Sequence, residues 1–207
     1  MDGIGDVGTP RVGNDAPRVT LRPNVAKTLA AIACLIAKAG KEKRQLTQYD
    51  ILKMLFLADK AHFNIYGRPI TFDNYFAMKE GPVPSLAYDL LKQSQATMKR
   101  MHLRKLPWRR TKNPETGTGR YFYFDADYSE LEASLSESDQ ESLANSFIAI
   151  SSLTFSQVKR LLHADPAYLE AWQPDGPKKA FKMSFGMLLD SPDHEQAQAV
   201  EFMSKHS

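Results

Sequence analysis

The sequence predicts an α+β domain, mainly α-helical, with a small antiparallel sheet packed on a central buried helix. Three observations carry this. Helix-initiating residues recur at Thr47, Thr154 and Asp165, the stretch 48–66 is apolar on nearly every side, and two extended stretches flank a polar loop between 100 and 126. At a usual scale of about 150 residues per domain, the 207 residues make one domain over 21–207 behind a flexible tail over 1–20. The tail reading rests on Gly3, Gly5, Gly8, Pro10, Gly13 and Pro17 among scattered charges, without helical or strand period.

From Val25 the pattern turns helical, with Val25, Leu29, Ile32 and Ile36 on one face and a stop expected at Gly40. The second helix starts at Thr47, with Asp50 completing a near relative of the capping box and Leu46 and Ile51 placed as a hydrophobic staple. It should run to Tyr66 and end at Gly67. Its apolar residues leave only Lys53, Lys60 and Asn64 in a narrow polar arc, the pattern of a helix buried on most sides. Ile70 to Met78 reads as extended. Pro82 and Pro84 forbid a regular helix after it, and Ser85 is the expected cap of a third helix through Leu86, Leu90 and Leu91. Two strands over 100–110 and 120–126 are expected to form a hairpin around Asn113, Pro114, Gly117 and Gly119. Further helices are expected at Ser138 with Glu141, at Thr154 with Gln157, at Asp165 with Pro166 in the first turn, and after Pro192.

Composition narrows function mainly by exclusion. Lys and Arg total 27 against 24 Asp and Glu, a net charge of +3, which is short of a dedicated nucleic-acid binder. The single cysteine, Cys34, excludes an intramolecular disulfide framework and fits a reducing cytoplasm. No apolar run reaches a membrane span, and the N-terminus lacks the pattern of a signal peptide. Phosphate-cradling glycine motifs, a G-x-S-x-G elbow and an H-E-x-x-H pair are also missing.

The remaining candidates for chemistry each have a simpler structural reading. Asp59 and His62 are two potential metal ligands on one helix, too few for a site; we read Asp59 as a carboxylate held by a basic side chain or backbone donors. Cys34 reads as a small packing residue rather than a nucleophile, His163 as a helix-terminal donor, and Trp172 as an anchor for the C-terminal helices. We therefore expect no enzyme activity, no cofactor and no metal. A stronger signal is charge segregation. Lys99, Arg100, Arg104, Lys105, Arg109, Arg110 and Lys112 form one block without an acid; Asp125, Asp127, Glu130, Glu132, Glu137, Asp139 and Glu141 form another without a base. Matched numbers favour mutual satisfaction or a charged protein partner. The alternative is a nucleic-acid-binding regulator that uses 99–112, with Trp108 stacked on a base.

The stretch from Lys53 to Phe63, the exit Tyr66-Gly67-Arg68-Pro69-Ile70, and the run from Phe76 through Gly81-Pro82-Val83-Pro84-Ser85 to Tyr88 resemble the Panacea domain of SocA-like antitoxins and phage-associated proteins. The resemblance is centred on 47–92, and Leu161, His163 and Trp172 extend it loosely. Met78 stands where that family commonly carries an aromatic, and the resemblance does not extend to the basic hairpin. The resemblance implies an antitoxin that neutralises a toxin protein encoded nearby, by direct binding or as an adaptor delivering it to the ClpXP protease. We take Lys53, Tyr75, Lys79, Glu80, Gly81, Pro82, Val83 and Tyr88 as the residues shaping the partner surface, the alternative being that the turn simply sets the angle between strand and helix. The physical expectation behind that choice is that Gly81 to Pro84 form a rigid exposed turn, able to dock with little ordering cost.

Overall fold

The computed structural model describes residues 18–112, 119–123 and 131–206, with the backbone alone for 119–123. Its element order is α1 (Val25–Lys41), β1 (Leu46–Thr47), α2 (Gln48–Tyr66), β2 (Tyr75–Met78), β3 (Gly81–Pro84), α3 (Ser85–Leu91), α4 (Gln95–Arg100), β4 (Trp108–Lys112), β5 (Gly119–Tyr123), α5 (Glu137–Ser151), α6 (Phe155–His163), α7 (Pro166–Ala171), β6 (Ala180–Lys182) and, after a 3₁₀ turn at Phe185–Leu188, α8 (His194–His206). The architecture is the expected helix-dominated α+β, with the strands divided between two three-stranded antiparallel sheets, ordered β1-β5-β4 and β3-β2-β6.

α2 is the spine, and its ends are set by local chemistry. Thr47 Oγ1 accepts the Asp50 N–H while Asp50 Oδ2 accepts the Thr47 N–H at 2.8 Å, a reciprocal capping box. Gly67 closes the other end at φ 72° and gives its N–H to Phe63 O. Ile51, Met54, Leu55, Phe56 and Phe63 are all buried, and each large side chain of this kind contributes roughly 1.5–3 kcal/mol by leaving water. Phe56 meets Tyr75 edge-on at 5.3 Å, and Phe63 packs on Phe185 at 5.1 Å.

The polar arc expected on α2 is not its solvent face. Lys53 is buried, Lys60 donates to Asp165 Oδ2 at 2.6 Å, and Asn64 donates to Leu188 O and accepts from the Asp190 N–H. The exposed strip is instead Ala61, Ile65 and Tyr66. Other boundaries also move. Gly40 lies inside α1, and the chain leaves that helix through Lys43 at φ 54°. Ser85 is the first residue of α3 rather than its cap; the N-cap position is Pro84, and the acceptor comes from Asp73, which takes the Leu86 and Ala87 N–H groups and the Ser85 hydroxyl. α5 starts from the Ser136–Asp139 box rather than from Ser138 and Glu141.

Residues 1–17 of the expected tail lie outside the described residues, but 18–20 belong to the fold. Val19 is buried, Arg18 donates to Lys182 O, and Thr20 N–H donates to Glu201. Asn24 then caps α1 by accepting the Lys27 N–H. The expected strand over 100–110 begins at Trp108; α4 and an irregular stretch precede it, while the loop at Asn113, Pro114 and Gly117 is outside the described residues.

β3 is the edge strand of its sheet and carries Pro82 and Pro84 opposite Ala77 and Tyr75. Alternate residues of a strand point their backbone groups the same way. Both prolines therefore sit where an N–H would face away from β2, so the ladder loses no donor.

Candidate functional site

Because Pro82 faces off the sheet edge, its carbonyl needs a donor from elsewhere, and Lys53 supplies it. Lys53 Nζ donates to Pro82 O at 2.8 Å from a side chain only 1% exposed, with the Tyr49 ring face 5.0 Å away. Burial lowers the Lys53 ammonium to about 7, with nearby Glu80 pulling weakly the other way. Gly81 makes this approach feasible. Its φ is 101°, and a Cβ there would stand 3.2 Å from Lys53 Nζ.

The tip of the β2–β3 hairpin, Lys79 and Glu80, is gripped from the opposite side by α6 and α7. Lys159 Nζ reaches Glu80 Oε2 at 2.7 Å and holds that carboxyl below its ordinary range. Tyr168 donates its hydroxyl to Met78 O at 2.9 Å, and its ring lies tilted against His163 at 4.6 Å. His163 hydrogen-bonds the backbone of Lys79, and burial, then Lys159, lower its imidazolium. Burial and Glu80 raise both Tyr49 and Tyr168 to about 12. The turn is therefore held by two helical faces, with Lys79 projecting into solvent.

A second polar centre lies deeper in the fold. Asp59, 1% exposed, accepts the Ile70 N–H at 2.8 Å, the Thr71 N–H at 3.0 Å, the Thr71 hydroxyl and the Tyr75 hydroxyl at 2.7 Å. Burial raises its pKa despite those donors. The loop so fixed puts Phe72 at φ 54°. Asp73 next to it is pushed up to about 6 by burial while it caps α3. Backbone and hydroxyl donors, rather than a basic side chain, therefore hold Asp59.

His62 points elsewhere. Its Nδ1 donates to Arg68 O at 2.7 Å, so in the neutral ring Nε2 accepts from Ser138 Oγ at 3.1 Å. Burial lowers its pKa. Asp139 lies beside it, 0% exposed, with Lys27 Nζ at 2.5 Å and Arg68 at 3.1 Å. Burial acts to raise the Asp139 carboxyl, but Lys27, the Ser136 N–H and Arg68 outweigh it and the net shift is downward. Asp59 and His62 thus serve separate networks. Among the described residues, no group of three or more His, Cys, Asp or Glu side chains is placed to hold a metal ion.

A family model described as antitoxin SocA-like, Panacea domain, matches residues 51–169, more than half of the chain. The chain belongs to the SocA-like Panacea family. No curated protein and no solved structure matches it. The Panacea match takes in α2, the clamped hairpin, α5, α6 and most of α7, and leaves out α1, β6 and α8. Apart from Tyr49, the clamp and the Asp59 centre therefore fall within the Panacea portion, Lys159 included.

The residues expected to form the partner surface do not form one patch. Lys53, Glu80, Gly81 and Pro82 meet at the clamp, but Gly81, Pro82 and Val83 are buried in β3 instead of making an exposed turn. Tyr75 is 2% exposed and committed to Asp59. Tyr88 is half-buried on α3, under Lys92 at 4.9 Å. What remains for contact is Lys79, Glu80 and one face of Tyr88. Tyr49, Lys159 and Tyr168 are the clamp residues that sequence reasoning missed, although the i, i+4 spacing of Tyr49 with Lys53 and of Lys159 with His163 pairs them on single helix faces.

Trp108 is 2% exposed, so it cannot stack on a nucleic-acid base, and the nucleic-acid reading loses its aromatic platform. The seven basic side chains between Lys99 and Lys112 are exposed. Three of their expected acidic counterparts, Asp125, Asp127 and Glu130, lie outside the described residues. Trp172 packs between Tyr168 at 6.0 Å and Phe181 at 5.8 Å, as an anchor would.

Proposed function

We propose that this Panacea domain is a cytoplasmic antitoxin that binds a toxin protein and neutralises it as a binding module rather than as an enzyme. Membership in the SocA-like family is the observation that carries the reading. The clamped hairpin supports it physically. Lys79 and Glu80 are presented on a turn already immobilised by Lys53, Lys159 and Tyr168, so a partner meeting them orders little new structure. Neutralisation proceeds by occupying the toxin, or by delivering it to ClpXP.

Co-expression with the product of the adjacent reading frame tests this, scored by growth and by co-purification in hosts with and without ClpXP. Rescue with a stable complex in both hosts supports blocking. Rescue only with the protease supports delivery. A neighbour that remains toxic in the presence of this chain defeats the reading for that pair.

A further inference from the structure

Outside the clamp, the face between α1 and α8 holds a cleft of about 520 Å³. Phe72, Phe202 and Met203 supply its apolar surface and Lys27, Arg68 and His206 its basic one. Phe202 is 66% exposed, an unusual position for a phenylalanine, and its ring stacks on His206 at 4.2 Å. Among the described residues, no acidic side chain lines the cleft. Lys27 and Arg68 share one carboxylate, Asp139, which is fully buried, so two cations face one anion and the rim keeps a positive excess.

We propose that this cleft is the docking site for an acidic, apolar segment of the partner protein; the inference rests on the partner-binding reading above. An aliphatic or aromatic side chain fills the space between Phe72 and Phe202, and a neighbouring carboxylate meets Arg68 and His206. Charge complementarity selects the occupant, since a basic segment would add like charge to a rim on which, among the described residues, the lining cations are Lys27, Arg68 and His206 and no acid stands. The cleft is broad and open, and its single projecting ring beside Arg68 and His206 offers one apolar and one ionic contact to a short peptide segment. Lys27, Phe202, Met203 and His206 all come from elements outside the stretch matched to the family, so this face is a part of the molecule in which partner choice can be particular to this chain.

Phe202→Glu tests the inference without touching the core, and Ile148→Glu, at a residue 61% exposed on α5, is the control. Two fluorescein-labelled helical peptides serve as probes, each with a pair of leucines at i, i+4 spacing, flanked in one by glutamates and in the other by lysines. By anisotropy at low salt, the full chain should bind the glutamate peptide about tenfold more tightly than the lysine peptide. Phe202→Glu should erase that preference, and Ile148→Glu should keep it. Equal affinity for the two peptides, or a preference that survives Phe202→Glu, overturns the inference. So does a dimer in sedimentation, or co-sedimentation with phosphatidylglycerol vesicles, that Phe202→Glu abolishes, because the occupant is then a second copy or a lipid surface. Pull-down of the co-expressed neighbour separates this inference from the reading beneath it. A neighbour held equally by the original chain and by Phe202→Glu rejects the cleft alone, whereas a neighbour held by neither rejects the partner pair and leaves the peptides to decide on the cleft.

Discussion

Lys53 should make this protein more stable as the solution turns mildly alkaline. In the unfolded chain its ammonium keeps its proton up to about 10.5, whereas in the fold burial lowers that value to about 7. Between those values the unfolded chain binds one more proton than the folded one, so stability rises with pH; below about 7 both forms are protonated and this contribution is absent. Each pH unit in the window is worth up to about 1.4 kcal/mol, so moving from pH 7 to pH 9 should add about 2 kcal/mol. The buried tyrosines, raised to about 12, and the histidines, lowered below their usual value, titrate outside that interval. Urea denaturation at pH 7, 8 and 9 measures the slope directly, and Lys53→Met should reduce it, because Met keeps the stem and removes the titrating group; Lys182, which burial also lowers, acts in the same direction and remains. A flat or falling profile in the original chain, or an equal rise in Lys53→Met, would show that the amine is not desolvated as its position beneath β3 requires.

Two further substitutions probe the same framework. Gly81→Ala should cost about 1–3 kcal/mol in chemical denaturation, since alanine is strained at φ 101° and its Cβ would press on Lys53 at 3.2 Å; a change within error would mean that the turn relaxes freely. Asp139→Ala should cost about 3–5 kcal/mol, because it strands Lys27 and Arg68 without their shared anion and removes the α5 capping box. In a chain of this size that corresponds to a melting temperature lower by about 10 °C in a thermal scan.

The legible parts of the fold were those decided by neighbours in sequence. The Thr47–Asp50 box, Gly67, the Thr154–Gln157 box and Asp165 with Pro166 all act within one turn, and each lies where it was expected. Lys53 illustrates the opposite case. Helical periodicity groups it with Lys60 and Asn64 as a solvent face, yet each of the three is taken up by a group far along the chain: Pro82 O, Asp165 and the Leu188 to Asp190 backbone. A pattern of polarity cannot distinguish water from a distant carbonyl. The start of α5 failed for a related reason. Ser136-x-x-Asp139 and Ser138-x-x-Glu141 overlap as signals, and Asp139 prevails because Lys27 and Arg68 converge on it from other elements. At the candidate site, the motif Gly81-Pro82-Val83-Pro84 was visible, but its exposure was not, since burial comes from α2 and α6 closing over β3. The three-residue strand β6 is too short to carry a period of its own.

The margins of the β3-β2-β6 sheet bear on how this protein survives in a crowded cell. One margin has prolines at both of its outward-facing positions, with the Pro82 carbonyl taken by Lys53; on the other, the Lys182 carbonyl is taken by Arg18. An incoming strand at the β3 margin finds no run of free donors to zip along. Recognition by strand addition is therefore disfavoured at the β3 edge, where both outward positions lack an N–H. Whatever binds along the β3 edge must do so through side chains.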